Sequence, residues 1–525
     1  MNRFICLSIV YLLVLFTGKF VHSQSISSAQ IDSLVSATMD SMPLAGIAVA
    51  VVKDGKVIHS KGYGVTAIEN PQPVNEHTVF AIASNSKAFT ASALAILVDD
   101  GLLEWTDKVV DHIPEFRMYD PYVTANFNIQ DLLTHRSGLG LGAGDLMFFP
   151  DGADFTMEDV LQSFQYQKPV SAFRTKYDYD NLLYLVAGEV VARVSGTTWA
   201  DFVRHRIMEP LGMEDSAPVF QQLRQENNIA LPHDVQSGQL VQLETYTKPN
   251  ASLGAAGGIY ASVSDLSRWM MMNLNRGRLS PESEDRILSE ESYHELWRPH
   301  TNIGFDVAPT GIYRTHFFGY GLGWGIRDRA GKVCVEHTGG LPGMLSRTVL
   351  VPELDLGIIV LTNSAPGGHA YHSISQSILD AYLDVRGQDW IGMAAQQIRE
   401  MDSESDAVTE QVWKTVEANA TVDIDHRSFV GLYRDNWFGD VRIHEKNGQL
   451  WFTSMRSPKL NGPMAYYKAN TFAIKWEYQD MNCDAFANFI LDTEGHAVGI
   501  KMKGISPHID FSFDFHDLDL VRVEE

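Results

Sequence analysis

Cysteine is nearly missing from this chain: 525 residues contain three, Cys6, Cys334 and Cys483, with no Cys-x-x-Cys among them. No His-Glu-x-x-His occurs either, and His369 and His372 have no acidic partner close by in sequence. The frameworks of structural zinc and of dithiol redox chemistry are therefore absent, and neither metal nor cofactor is expected. Positive charge is also short, 41 Lys and Arg against 65 Asp and Glu for a formal net charge of −24. Such a surface repels phosphate backbones and anionic membranes, so no nucleic-acid partner is expected. No internal repeat or low-complexity tract stands out, and the glycines after Leu132-Leu133-Thr134-His135-Arg136-Ser137 are not followed by the Gly-Lys-Ser/Thr of a phosphate loop.

Long apolar runs are confined to the first residues. Arg3 followed by the 13 apolar-rich residues Phe4–Phe16 and by Val21-His22-Ser23 reads as a secretory signal over 1–23. The run is shorter than the roughly 20 residues that span a bilayer. Cys6 lies inside it, too early to be a lipidated cysteine at the cleavage site. A soluble periplasmic or secreted protein without a membrane anchor is expected. After cleavage Cys334 and Cys483 remain, as a disulfide or as two buried thiols.

What is present is 45% hydrophobic and long enough for more than one core. Residues 25–42 have helical periodicity, and Gly46–Val52 and Lys56–His59 flank Lys53-Asp54-Gly55 as a hairpin. Helical stretches follow, among them an amphipathic pattern over 182–194 and a helix over 263–273, before strands return at 333–336, 346–351 and 356–361. Strands at both ends with helices between them imply an α+β fold, in which an antiparallel sheet assembled from distant segments is flanked by helices beside a helical subdomain. A polar helical linker is expected over 396–425, and 426–525, aromatic and β-branched with turns at Lys446-Asn447-Gly448 and Thr493-Glu494-Gly495, reads as a small all-β, barrel-like domain. The first domain would then occupy 24–395.

Chemistry is suggested by three stretches. Ser84 and Lys87 stand one helical turn apart at the mouth of an apolar helix ending near Gly101, which gives a hydroxyl the neighbour it needs to become a nucleophile. The bland alternative is a capped surface helix. Tyr179 and Asn181 precede another apolar helix; beside a lysine ammonium the phenol could be lowered toward a useful base, or the two are a packing aromatic and an N-cap. His337-Thr338-Gly339-Gly340 closes a strand, presenting side chains from a sheet edge while the glycines admit a close substrate backbone.

Together, Ser84-x-x-Lys87, Tyr179-x-Asn181 and His337-Thr338-Gly339 resemble the three ordered motifs of the serine β-lactamase and penicillin-binding protein superfamily. Tyr-x-Asn points to the branch of class C β-lactamases, D-alanyl-D-alanine carboxypeptidases, D-aminopeptidases and related esterases. Leu132–Leu139, Ala256–Ser262, Tyr320–Gly325 and Val360–Asn363 are similar to that branch too, and the region from Phe429 onward resembles the lipocalin-like domains appended to some members. The resemblance implies that Ser84 forms an acyl-enzyme, that Lys87 or Tyr179 is the base with the two hydrogen-bonded, and that Ser84 and Gly340 supply the oxyanion N–H groups. Asn181 would hold the substrate amide, and His337, Thr338 and Gly339 would line the substrate side. Histidine where class C β-lactamases carry lysine shifts the expectation to a peptidase or amidase on small D-amino-acid-containing or cell-wall-derived peptides. β-Lactamase or esterase action, and a non-turnover penicillin- or peptidoglycan-binding sensor, stand as alternatives. Homo-oligomers are compatible with this reading, and the C-terminal domain would affect substrate range or assembly more than bond breaking.

Overall fold

The hairpin forms as its turn chemistry dictates: Asp54 and Gly55 take positive φ (50° and 68°), joining β1 (Gly46–Lys53) to β2 (Lys56–Gly64). Six more strands come from late in the chain, β3 (Thr301–Phe305), β4 (Phe317–Tyr320), β5 (Gly325–Arg329), β6 (Lys332–Leu341), β7 (Met344–Val351) and β8 (Leu356–Thr362). They complete an eight-stranded sheet in the order β2-β1-β8-β7-β6-β5-β4-β3, antiparallel throughout. This computed structural model describes residues 26–226, 228–236, 238–245, 254–403 and 406–524, so the signal sequence expected over 1–23 lies outside the described residues.

β1 reads Gly-Ile-Ala-Val-Ala-Val-Val because both of its faces are covered. Ile47, Val49 and Val51 join one apolar layer with Ile31 and Val35 of α1 (Ser28–Ser41), which Ser27 and Gln30 cap reciprocally. Ala48, Ala50 and Val52 face the opposite layer. That layer holds α2 (Ser86–Asp99), α3 (Leu182–Ser195) and α4 (Val263–Leu274), with Phe89 of α2 stacked on Trp269 of α4 at 3.9 Å. The expected amphipathic character of 182–194 gives way to near-complete burial from Leu182 to Val191, because α3 is surrounded by other helices.

α5 (Gly367–Leu383) and α6 (Trp390–Ser403) cover the α1 side of the sheet through Ile374, Ile378 and Ala394. α7 (Ala407–Ala418) packs Val412 against Ala473 and Ile505. The expected linker over 396–425 is thus divided between a helix seated on the sheet layers and one seated on the second domain.

That second domain is a closed eight-stranded antiparallel barrel, β9 (Gly431–Asp435), β10 (Gly439–Lys446), β11 (Gln449–Ser454), β12 (Asn461–Lys468), β13 (Thr471–Ile474), β14 (Ala485–Leu491), β15 (Ala497–Gly504) and β16 (Leu520–Val523). Tyr433, Phe452, Phe472, Trp476 and Phe489 are buried in its core. The buried apolar cluster runs without a break from the helical layer into the barrel. Arg456 pairs with Asp154 and Asp159, and Lys459 with Asp151 at 2.6 Å, across the same junction. Cys334 and Cys483 are buried free thiols. Among the described residues no helix is long and apolar enough to cross a membrane.

Candidate active site

Ser84 sits in a short 3₁₀ turn, Ala83–Asn85, that feeds directly into α2. The turn is strained: Ala83 adopts a φ of 48°, a region costly for a side chain with a Cβ. Neighbours hold it there. Ser346 of β7 donates to Ile82 O at 2.7 Å and accepts from Asn85 Nδ2 at 2.8 Å, so the sheet grips the turn from both sides of the serine. Ser84 itself is half-buried and opens onto a cavity.

Lys87, one turn on, is completely buried. Its amine contacts Asn181 Oδ1 at 2.7 Å, Ala256 O at 2.8 Å and Ser84 Oγ at 3.2 Å. The two carbonyl oxygens can only accept, so a neutral amine spends both N–H groups on them and turns its lone pair to the serine hydroxyl. Burial brings the lysine pKa down to about 7 against the opposing influence of Asp145 and Asp180. The result is an amine that can lose its proton near neutral pH and that lies 3.2 Å from Ser84 Oγ.

Tyr179 does not make the expected bond to Lys87. The amine lies over its ring, 4.8 Å from the centroid, and the buried phenol oxygen has no aligned partner. Burial raises the phenol well above 10, with only the neighbouring Ser84 hydroxyl pulling the other way. The phenol is therefore kept protonated, because removing an anion from water costs more than one neighbouring hydroxyl returns. Asn181 makes no side-chain cap on α3; its oxygen takes the Lys87 N–H and its nitrogen donates to Asp145 at 2.8 Å.

β6 does not end at His337, as the sequence suggested, but continues to Leu341 alongside β7. β5 pairs only as far as Glu336, so from His337 onward one edge of β6 is bare, and at Gly339 it lies against the Ala83–Asn85 turn. Gly339 is why the two fit: a Cβ there would run into Ile82 O and come within 3.0 Å of Ser84 N. Thr338 and Gly340 are exposed to the cavity. The imidazole of His337 donates from Nδ1 to Thr338 O at 2.6 Å and accepts at Nε2 from Tyr320 Oη at 2.8 Å. Burial and the nearby Lys87 hold its pKa down to about 4, so the ring is neutral and both nitrogens are engaged.

The cavity measures about 1020 Å³. Its first-domain wall carries Ser84, Tyr179, His337 and Arg327, and its other wall belongs to the barrel, including Asp480, Asn482, His508 and Phe511. Among the described residues no group of three His, Cys, Asp or Glu is placed to hold a metal.

Residues 31–383 match the beta-lactamase family, and 418–522 match a domain of unknown function, DUF3471. The chain belongs to the beta-lactamase family. It is 27% identical over 359 residues to an unguisins hydrolase of Aspergillus campestris, the match covering 67% of this chain and 65% of that protein. A second unguisins hydrolase, from Aspergillus violaceofuscus, is 24% identical over 78% of this chain and 76% of its own. Protein flp of Staphylococcus aureus is 25% identical over 64% of this chain and 63% of its own. In structure, the octameric penicillin-binding protein homologue from Pyrococcus abyssi aligns with a TM-score of 0.60 at 19% identity, covering 95% of this chain and all of that one. SurE aligns with a TM-score of 0.53 at 17% identity, over 94% and 99% of the two chains. This chain has the β-lactamase/transpeptidase-like α+β fold, followed by its closed eight-stranded barrel.

Within this beta-lactamase-family site, Asp145, Tyr320, Ser512 and Asp514 were not singled out as functional from the sequence. Tyr320 opens the Tyr-Gly-Leu-Gly stretch, which carried a family signal without a role. Asp145 follows an unremarked Gly-Ala-Gly, and Ser512 and Asp514 lie some 370 residues beyond their partners, with no local pattern to mark them.

Proposed function

We propose that this protein is an exported serine hydrolase that opens amide or ester bonds through a Ser84 acyl-enzyme, acting as a peptidase or amidase on small D-amino-acid-containing or cell-wall-derived peptides. The observation that carries this reading is the commitment of both N–H groups of a neutral Lys87 to Asn181 and Ala256, which leaves its lone pair for Ser84. Lys87 takes the serine proton as Oγ attacks the carbonyl. The backbone N–H groups of Ser84 and Gly340 receive the oxyanion, each such donor being worth roughly 10²–10³ in rate. Tyr179, protonated and beside Ser84, hands a proton to the departing amine and is replenished from Lys87. Water then releases the acyl group by the reverse sequence.

Substrate charge is suggested by the two ends of the cavity. Arg327, Arg329 and Arg347 surround the single carboxylate of Glu336 at 2.8–3.0 Å. Burial opposes its ionisation, yet the three guanidiniums hold it at about 2 and leave positive charge in excess. That end suits a substrate carboxylate, and Asp234, Asp480 and Asp510 around the rest of the cavity suit an amine. A short zwitterionic peptide fits both. Relatives named hydrolases support the reaction class, and a SurE structure solved with D-Leu supports a D-residue. The N-terminal apolar run supports export.

The test is intact-mass spectrometry of wild type and Ser84→Ala after mixing with a fluorophosphonate, a penicillin, a p-nitrophenyl ester and a D-alanyl peptide, with product assays. A Ser84-dependent adduct with turnover of D-peptide supports the proposal. A stable penicillin adduct without turnover of any substrate would replace it with the sensor reading.

A further inference from the structure

The carboxyl of Asp145 lies at the centre of a chain that begins in one domain and ends in the other. Ser512, on the segment between β15 and β16 of the barrel, donates to Asp145 Oδ2 at 2.8 Å, and Asn181 Nδ2 donates to the same oxygen at 2.8 Å. Asp514, two residues on, accepts from the backbone N–H groups of Gly144 (2.7 Å) and Leu146 (3.1 Å), the residues that flank Asp145. All four side chains are buried or nearly so, Asp145 and Asp514 completely. The barrel thus holds Asp145 by its carboxyl and by its backbone at once. Phe511, just before Ser512, meets the ring of Tyr179 edge-on at 6.1 Å.

Orientation is what this chain transmits. A side-chain amide can sit either way round, and one way would turn the Asn181 NH₂ toward Lys87, donor against donor. Two donors converging on Oδ2 make that oxygen an acceptor whether or not the carboxyl carries a proton, since a proton would reside on Oδ1, which has no partner. The Asn181 nitrogen must then face Asp145 and its oxygen must face Lys87. Without the Ser512 hydroxyl, Oδ2 is free to be protonated and to donate, and the amide is free to turn.

We propose that Ser512 and Asp514 of the barrel are positioning residues for the general base, acting through Asp145 and Asn181 to aim the Lys87 amine at Ser84, so that the catalytic centre is complete only with the barrel docked. The proposal rests on the serine-hydrolase reading above and departs from the expectation that the C-terminal domain acts on substrate range or assembly alone.

The experiment is a double-mutant cycle in the full chain, Ser512→Ala, Asp145→Asn and both together, assayed on a p-nitrophenyl ester across pH, with folding checked by thermal melts and Ser84→Ala as control. Ser512→Ala should lower kcat by about tenfold with KM within about twofold, and the double variant should be no slower than Asp145→Asn alone. The pH profile supplies a readout that loose packing would not move. Lys87 is faced by Tyr184 of α3, by Tyr179, Asp180 and Asn181 before it, by Asp145 with Asp514 behind, by His135, and by His337 of β6. Burial pushes the Asp145 carboxyl well above the usual carboxylate range while the hydrogen bonds from Asn181 and Ser512 oppose that push, so losing the Ser512 hydroxyl favours the protonated carboxyl, withdraws negative charge from Lys87 and displaces the acid limb of kcat/KM to lower pH, as Asp145→Asn does outright. A wild-type kcat and acid limb in Ser512→Ala, a change in KM alone, or losses that multiply in the double variant would overturn the proposal while leaving the Ser84 mechanism standing. Turnover surviving in Ser84→Ala would overturn both.

Discussion

Lys87 Nζ lies 2.7 Å from Asn181 Oδ1, and because the amide nitrogen of Asn181 is committed to Asp145, this contact is a donation from the lysine. It fixes which direction the lone pair of a neutral amine takes. The kinetic consequences separate Lys87 from Tyr179 as base, a choice the motifs left open.

Rate should follow the deprotonated lysine. With the Lys87 pKa brought to about 7 by burial, the ammonium below that pH cannot accept the Ser84 proton, so kcat/KM should rise roughly tenfold per pH unit up to about 7 and level off above it. Asp180, also pushed up to about 7 by burial, titrates together with it, so the limb reports the pair. A pH–rate profile with no inflection between about 6 and 8 would remove Lys87 as the base.

Tyr179→Phe should separate amides from activated esters. The phenol is kept protonated by burial and stands beside Ser84, where the proposed mechanism has it give a proton to a leaving amine. Loss of that donor should cost about 10²–10⁴ in kcat for a D-peptide, but less than about tenfold for a p-nitrophenyl ester, whose leaving group needs no proton. Equal losses on both substrates would indicate that the tyrosine acts in the attack step instead.

His337 should not titrate in the working range. Its pKa is held near 4 and both ring nitrogens are bonded, so KM for an anionic substrate should stay level from about pH 5.5 to 8. A KM that climbs about tenfold through pH 6–7 would mean that the imidazolium binds substrate directly. Tyr320→Phe, which removes the donor to Nε2, should make the ring more mobile and reduce activity without creating such a dependence.

Gly339→Ala should damage the nucleophile turn. The added methyl meets Ile82 O and Ser84 N, both backbone, so neither can swing aside. A destabilisation of about 1–3 kcal/mol in chemical denaturation, with slower fluorophosphonate labelling of Ser84, is expected. Wild-type stability and labelling would show that the turn can shift without loss.

Some of this molecule was decided by the sequence alone. The Asp-Gly turn with its continuous apolar strand, the apolar helix behind Ser84-x-x-Lys87 and the short β-rich C-terminal segment each follow from local periodicity and turn chemistry, and the structure contains each of them. Ser84, Lys87, Tyr179, Asn181 and His337 stood out because they fall in motifs of fixed spacing, and the fold brings them together: Ser84, Tyr179, Asn181 and His337 line one cavity, and Lys87 is buried against Ser84 and Asn181. Their charge states and hydrogen-bond partners were not legible. A lysine at about 7, a phenol above 10 and a histidine near 4 arise from burial, which depends on every element packed around them. Nor could Asp145, Ser512 and Asp514 be found, since no spacing rule connects residues some 370 positions apart. Docking of the barrel brings them together, and only tertiary structure decides that.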